Sequence, residues 1–208
     1  IGAIESVYPS HGLTDVPAWL EGSVSWLASS VHDPVLMTGF PDGSFGPGLD
    51  IDRGQFVRLL YRESGAPDVS ALGPHGLSDV PTWVRAATTW AVADGIMTGY
   101  RDGTFRPDAP VSRAEVVRAK YRLAGTPAVS GLPPLPAGRF GDVPPWIADA
   151  VRWAVAHELM SGFPDGSFRP VQPISRGEVA RADYRLSITP AAWADPGGAP
   201  DTVPFVAP

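Results

Sequence analysis

The chain contains no cysteine. That excludes disulfide frameworks, thiolate catalysis and zinc sites built on sulfur. Lysine is almost missing too, since the 16 basic residues are all Arg except Lys120. Arg suits bidentate recognition of carboxylates. Nor is there an excess of positive charge: the formal net charge of −6 argues against a nucleic-acid backbone or an anionic membrane as the main partner. No apolar run reaches the roughly 18 residues that would read as a membrane span. A sequence that starts at Ile1 reads as processed or as part of a longer protein.

Gly and Pro, by contrast, are abundant, with 23 and 24 copies among 208 residues. Such a surplus often accompanies disorder. Here 44% of the residues are hydrophobic and 7 Trp and 8 Phe are present, enough apolar surface to offset the entropy of ordering the chain. Gly and Pro are therefore expected to punctuate many short elements of one domain spanning residues 1–208.

That punctuation is threefold. Asp15-Val16-Pro17-Ala18-Trp19 recurs as Asp79-Val80-Pro81-Thr82-Trp83 and as Asp142-Val143-Pro144-Pro145-Trp146. A second Trp follows each time: Trp26, Trp90, Trp153. Next come Met37-Thr38-Gly39-Phe40-Pro41-Asp42-Gly43-Ser44-Phe45 and its counterparts from Met97 to Phe105 and from Met160 to Phe168. Each unit closes on Ile51-Asp52-Arg53-Gly54-Gln55, Val111-Ser112-Arg113-Ala114-Glu115 or Ile174-Ser175-Arg176-Gly177-Glu178. Repeat one covers about 7–64, repeat two about 72–124 and repeat three about 138–187, with a Pro-rich tail over 188–208. Repeat one carries four extra residues between Asp15 and Gly39, around Ser29 to Pro34, whereas the span from that Gly to the later Arg is the same in all three.

Each unit reads as helix, turn, helix. In repeat two, Trp83, Ala87, Trp90 and Ala91 share one face of a helix that Pro81 starts and Gly95 stops. The Asp-Gly pair marks a tight turn. Ser112 with Glu115, and Ser175 with Glu178, form capping boxes for the second helix, and Asp52 with Gln55 is an altered form of the same device. Pro-rich connectors join the units.

The informative side chain is the Arg at the first position of each second helix: Arg53, Arg113 and Arg176. A cation there faces the positive end of the helix dipole, at a cost of roughly 0.3–1 kcal/mol. Two readings follow. Each Arg swings away to a carboxylate of the neighbouring unit, with Asp15, Asp79 and Asp142 as candidates, or the guanidinium and free helix N–H groups together hold a ligand anion. The later Arg pairs (Arg58 and Arg62, Arg118 and Arg122, Arg181 and Arg185) are expected to serve packing or surface pairing rather than ligand. The Trp spacing places both rings of each pair on a core stripe, with Trp19, Trp83 and Trp146 the more exposed and so the candidates for stacking on a sugar. Asp42, Asp102 and Asp165 are expected to stabilise turns, because an Asp-Gly without further spaced oxygens is no calcium loop. Lys120 and Asp183, at equivalent positions, are expected to pair where the second helices meet.

No catalytic constellation stands out. His11, His32, His75 and His157 share no aligned position, and no nucleophile elbow, metal-binding His pair or phosphate loop occurs. The chain is therefore expected not to be an enzyme, and to need neither cofactor nor metal.

The repeated motifs resemble the S-layer homology domain, over about residues 7 to 187. The resemblance implies an all-α, pseudo-threefold spindle of three helix-turn-helix repeats. It implies a secreted protein held at the cell surface, cell wall or S-layer through a secondary cell-wall polysaccharide bearing a pyruvylated amino sugar. Ligand-binding positions carried over are Arg113 with Ser112, Arg176 with Ser175, and the groove glycines Gly99 and Gly162, with Arg53 and Gly39 as their counterparts in repeat one. Because Asp52 and Gln55 replace Ser and Glu in repeat one, the Arg53 site is expected to be the weak one. The alternative is an interaction module whose grooves engage protein, including self-assembly into a homo-oligomeric surface layer.

Overall fold

The computed structural model describes residues 12–188. The start of repeat one at 7–11 and the tail beyond Ile188 lie outside the described residues. Helix α1 spans Glu21–Leu27, α2 Arg53–Glu63, α3 Thr82–Ala93, α4 Arg113–Leu123, α5 Ala148–Ala156 and α6 Arg176–Ile188, with a 3-10 turn at Pro145–Ile147 leading into α5. Among the described residues there are isolated bridges but no named strand, so the fold is all-α as expected.

Local chemistry sets the helix limits. Pro81 occupies the N-cap of α3, and Gly95 follows its end at a φ of 67°, a left-handed geometry that favours glycine. Ser112 and Glu115 exchange both bonds of a capping box, and Ser175 and Glu178 do the same. At α2 half the device remains: the Gln55 N–H donates to Asp52 Oδ1 at 2.6 Å. In repeat one α1 stops early at Leu27, and the extra residues return His32 edge-on against Trp26, with ring centroids 4.9 Å apart.

The helices do not pack within their own repeats. Instead α3 packs on α2, α5 on α4 and α1 on α6, so the first helix of each repeat lies on the second helix of the preceding one and the series closes on itself. Aromatic pairs mark these seams: Trp90 with Tyr61, Trp153 with Tyr121, and Trp26 with Tyr184, at 5.8, 5.7 and 6.2 Å between centroids. Each of these Trp rings is buried, removing on the order of 200 Å² from water and contributing a few kcal/mol. The backbone closes the same ring. Ile51 N–H donates to Ile174 C=O at 3.0 Å, Val111 N–H to Ile51 C=O at 3.0 Å, and Ile174 N–H to Val111 C=O at 3.2 Å.

The second helices meet through charge. Lys120 Nζ lies 2.5 Å from Asp183 Oδ1, the expected pair, and 2.6 Å from Glu63 Oε2, so each repeat supplies one member. Leu60 occupies the position equivalent to Lys120 and Asp183, and Glu63 enters from the next turn of α2. Lys120 and Asp183 are almost completely buried. Burial raises the Asp183 pKa well above the usual carboxylate value and Glu63 adds to the rise, while Lys120 opposes it. Burial disfavours the Lys120 ammonium, but Asp183 and Glu63 together outweigh it and the Lys120 pKa rises.

Two outcomes are expected. Lys120→Met strands two carboxylates in the core and costs about 3–5 kcal/mol near neutral pH, measured by chemical denaturation; a neutral or stabilising effect would contradict a structural role for the triad. Because folding raises the Asp183 pKa, the native chain holds that proton more tightly than the unfolded chain. The contribution of Asp183 is therefore fully present below the unfolded carboxylate value, near 3.9, and is lost as pH rises toward the folded value. Denaturation across this range should show the wild type losing stability relative to Asp183→Asn as pH rises.

Candidate functional site

Each helix-start Arg crosses a seam and is buried in the turn of the next repeat. Arg53 Nε donates to Phe105 C=O at 2.8 Å and a terminal N–H to Thr98 C=O at 3.1 Å. Arg113 makes the same bonds to Phe168 C=O at 2.9 Å and Ser161 C=O at 2.6 Å, and Arg176 to Phe45 C=O and Thr38 C=O, both at 2.9 Å. Each guanidinium also lies over two rings of that turn: Tyr100 and Phe105, Phe163 and Phe168, or Phe40 and Phe45, 4.7 to 4.9 Å from the centroids. Carbonyl oxygens and ring faces thus offset the unfavourable helix dipole. Desolvation presses the Arg113 and Arg176 pKa values down from the ordinary Arg value.

This arrangement corrects two expectations. Asp15, Asp79 and Asp142 do not pair with the arginines. They accept the N–H groups of Phe45 and Gly46, Phe105 and Arg106, and Phe168 and Arg169, tying the Asp-Val-Pro segment to the turn of its own repeat. Those bonds hold all three carboxyls below their usual pKa, for Asp79 and Asp142 against the opposing effect of burial.

The helix N-termini are not free anion sites either. The N–H groups of Arg53 and Gly54 donate to Ala109 and Pro107, those of Arg113 and Ala114 to Gln172 and Pro170, and those of Arg176 and Gly177 to Leu49 and Pro47. The third N–H goes to the N-cap side chain. Any anion must therefore be met by side chains.

A groove of about 400 Å³ opens at the seam between repeats two and three, where Arg113 faces Ser161, Gly162, Phe163, Arg181 and Arg185. Arg176 borders a smaller one of about 80 Å³, with Thr38, Gln55, Arg58, Arg62 and Trp83. Two of the later Arg pairs, Arg58 with Arg62 and Arg181 with Arg185, expected to be structural, therefore line these grooves. Arg62 and Arg185 also donate to the Leu36 and Glu158 carbonyls, at 3.3 and 2.6 Å. Sequence spacing hid their relation to Arg113 and Arg176 because these side chains meet across seams.

Trp19, Trp83 and Trp146 are 60%, 47% and 60% exposed. Trp83 borders the Arg176 groove, while Arg181 lies 5.7 Å from the Trp19 centroid and Arg118 5.3 Å from that of Trp146. Ser112 and Ser175 are engaged as helix caps.

Gly39, Gly99 and Gly162 have a packing reason for being glycine. A Cβ at these positions would fall 2.7, 2.9 and 2.8 Å from the carbonyl oxygens of Ser44, Thr104 and Ser167, and against the side chains of Leu13, Leu77 and Phe140. Asp42, Asp102 and Asp165 accept the N–H and hydroxyl of Ser44, Thr104 and Ser167, consistent with their turn role.

In repeat one the correction is to which arginine the substituted residues face, not to the expected weakness of the Arg53 site. Asp52 and Gln55 were expected to weaken the Arg53 site, but they face Arg176: Arg176 donates to Gln55 Oε1 at 3.0 Å, and Asp52 acts on Arg176 through space. Arg53 is instead paired with Glu115 of repeat two. Arg113 stands 3.6 Å from Glu178.

The S-layer homology domain profile matches residues 34–57, 78–117 and 139–180, about half of the chain. The chain belongs to the S-layer homology domain family. The first match begins at Pro34, where the extra residues of repeat one end.

The chain is similar to cell surface glycoprotein 1 of Acetivibrio thermocellus, 32% identical over 182 residues, covering 82% of this chain and 8% of that protein. It is similar to the cellulosome-anchoring protein of the same organism at 29% identity, covering 71% of this chain and 34% of the relative. An endoglucanase of a Bacillus species is 27% identical over 73% of this chain and 16% of its own length. The chain thus spans about a third or less of the length of these relatives. Family and relatives support association with the cell surface. Among the described residues no helix is long and apolar enough to cross a membrane.

Substituting a seam glycine tests the packing. Gly99→Ala is expected to cost about 1–3 kcal/mol in chemical denaturation, because the Thr104 carbonyl cannot yield without breaking its bond to the Tyr100 N–H.

Proposed function

We propose that this domain anchors a surface protein non-covalently to the cell wall by holding secondary cell-wall polysaccharide in the grooves between repeats, and that it does so without catalysis. The observation that carries this reading is the groove at Arg113, where three guanidinium groups converge on a space large enough for a sugar ring. A ketal-linked pyruvate on an amino sugar presents a fixed carboxylate to these donors. Three of the five Arg176 N–H groups are engaged with the protein and two of the five on Arg113, which leaves donors for a ligand oxygen. Ser161, Gly162 and Phe163 line the same groove beside Arg113. The exposed rings of Trp19, Trp83 and Trp146 offer faces for stacking on the saccharide. The protein carrying the domain is thereby placed outside the cell.

Pull-down with purified cell-wall sacculi tests the reading. Binding should fall sharply after acid removal of pyruvate ketals, and retained binding would favour a protein-binding or self-assembling module instead. Arg113→Ala is a poor probe, because it also removes the clamp on repeat three. Arg181→Ala removes an exposed groove cation and should weaken binding at the Arg113 groove about tenfold with an unchanged melting temperature.

A further inference from the structure

The three arginine sites differ in charge at one position, the third residue of the facing second helix. At Arg53 it is Glu115, whose carboxylate makes direct contact with the guanidinium while only 30% exposed. At Arg113 it is Glu178, 3.6 Å away and 46% exposed. At Arg176 it is Gln55, which accepts one bond through Oε1 and carries no charge. Glu158 and Glu178 border the Arg113 groove, whereas no acidic residue is among the described residues that line the Arg176 groove.

Repeat one has kept its charge while moving it. Asp52 replaces Ser at the N-cap and Gln55 replaces Glu three residues on. The carboxylate now caps the Gln55 N–H and does not line the groove. It still attracts Arg176 through space, but it does not occupy the terminal guanidinium nitrogen that Glu115 holds in the Arg53 site.

We infer that this position is a built-in competitor for the ligand's anion: Glu115 shuts the Arg53 site, Glu178 attenuates the Arg113 groove, and Gln55 leaves the Arg176 groove open to a compact carboxylate. The inference rests on the polysaccharide reading above and adds which sites are used and what sets their order. A carboxylate already on the guanidinium must be displaced before a ligand carboxylate can take its place, and two anions cannot share the site without mutual repulsion. The size of the Arg176 groove, about 80 Å³, suits a carboxylate group rather than a whole sugar, with the ring resting outside against Trp83.

The test is calorimetric titration of the full chain with the methyl glycoside of pyruvylated N-acetylmannosamine, using the ketal-free glycoside as control. Gln55→Glu restores the residue type that repeats two and three carry, so it should fold normally, and it should weaken the tightest binding event about tenfold. Glu115→Gln should add a binding event, because Gln55 shows that an amide can hold the arginine at this position. Matching thermal melts confirm that both variants are folded.

If the wild type binds the glycoside but Gln55→Glu binds equally well and Glu115→Gln gains nothing, the competitor assignment is overturned while the polysaccharide reading stands. If the wild type binds neither glycoside, or both alike, the reading itself fails and the assignment falls with it.

Discussion

A guanidinium buried at the start of a helix is an unstable proposition on its own, since it combines desolvation with the wrong end of the helix dipole. In this domain the next repeat resolves both problems. Its turn supplies two carbonyl oxygens and two aromatic faces to each of Arg53, Arg113 and Arg176, and its backbone accepts the first two N–H groups of the helix. No repeat can satisfy its own arginine. The need for a neighbour ties each unit to the next, and it places the grooves at the seams.

The same dependence appears at every level of packing. First helices lie on second helices of the preceding repeat, the Trp–Tyr pairs cross the same boundaries, and the bonds among Ile51, Val111 and Ile174 close the ring. The triad of Glu63, Lys120 and Asp183 draws one charged group from each repeat into a nearly dry space. Burial and the neighbouring Glu63 raise the Asp183 pKa, and Lys120 opposes them. Every seam therefore belongs to a structure in which all three repeats are joined.

Repeats two and three retain the Ser–Glu capping box, while repeat one substitutes Asp52 and Gln55 and inserts residues after α1. Viewed along the chain, these changes seem to belong to Arg53, the residue beside them. In space they belong to Arg176, contributed by repeat three. A repeat protein closed into a ring always offers this exchange, because the chemistry beside a residue in sequence is delivered to a different arginine by the packing.

The repeat count, the helix positions, the capping devices, the Asp-Gly turns and the special status of the helix-start arginines were all legible in the amino-acid order, because each depends on contacts within a few residues or on periodicity. The pairing of Lys120 with Asp183 was legible from equivalence between repeats. Glu63 was not, since it sits one turn off the equivalent position in α2. Nor were the partners of the arginines: Phe105, Thr98 and Glu115 lie 45 to 62 residues from Arg53, and no local pattern encodes which repeat will supply them. The surplus of glycine was visible at once. That Gly39, Gly99 and Gly162 leave no room for a Cβ against a carbonyl and a neighbouring side chain emerges only once the chain is folded. Sequence by itself determined the units and their chemistry, because short-range sterics and hydrogen bonding suffice for that. Tertiary structure alone decided which unit completes which, because the charges and N–H groups left open by each repeat find partners only across a seam.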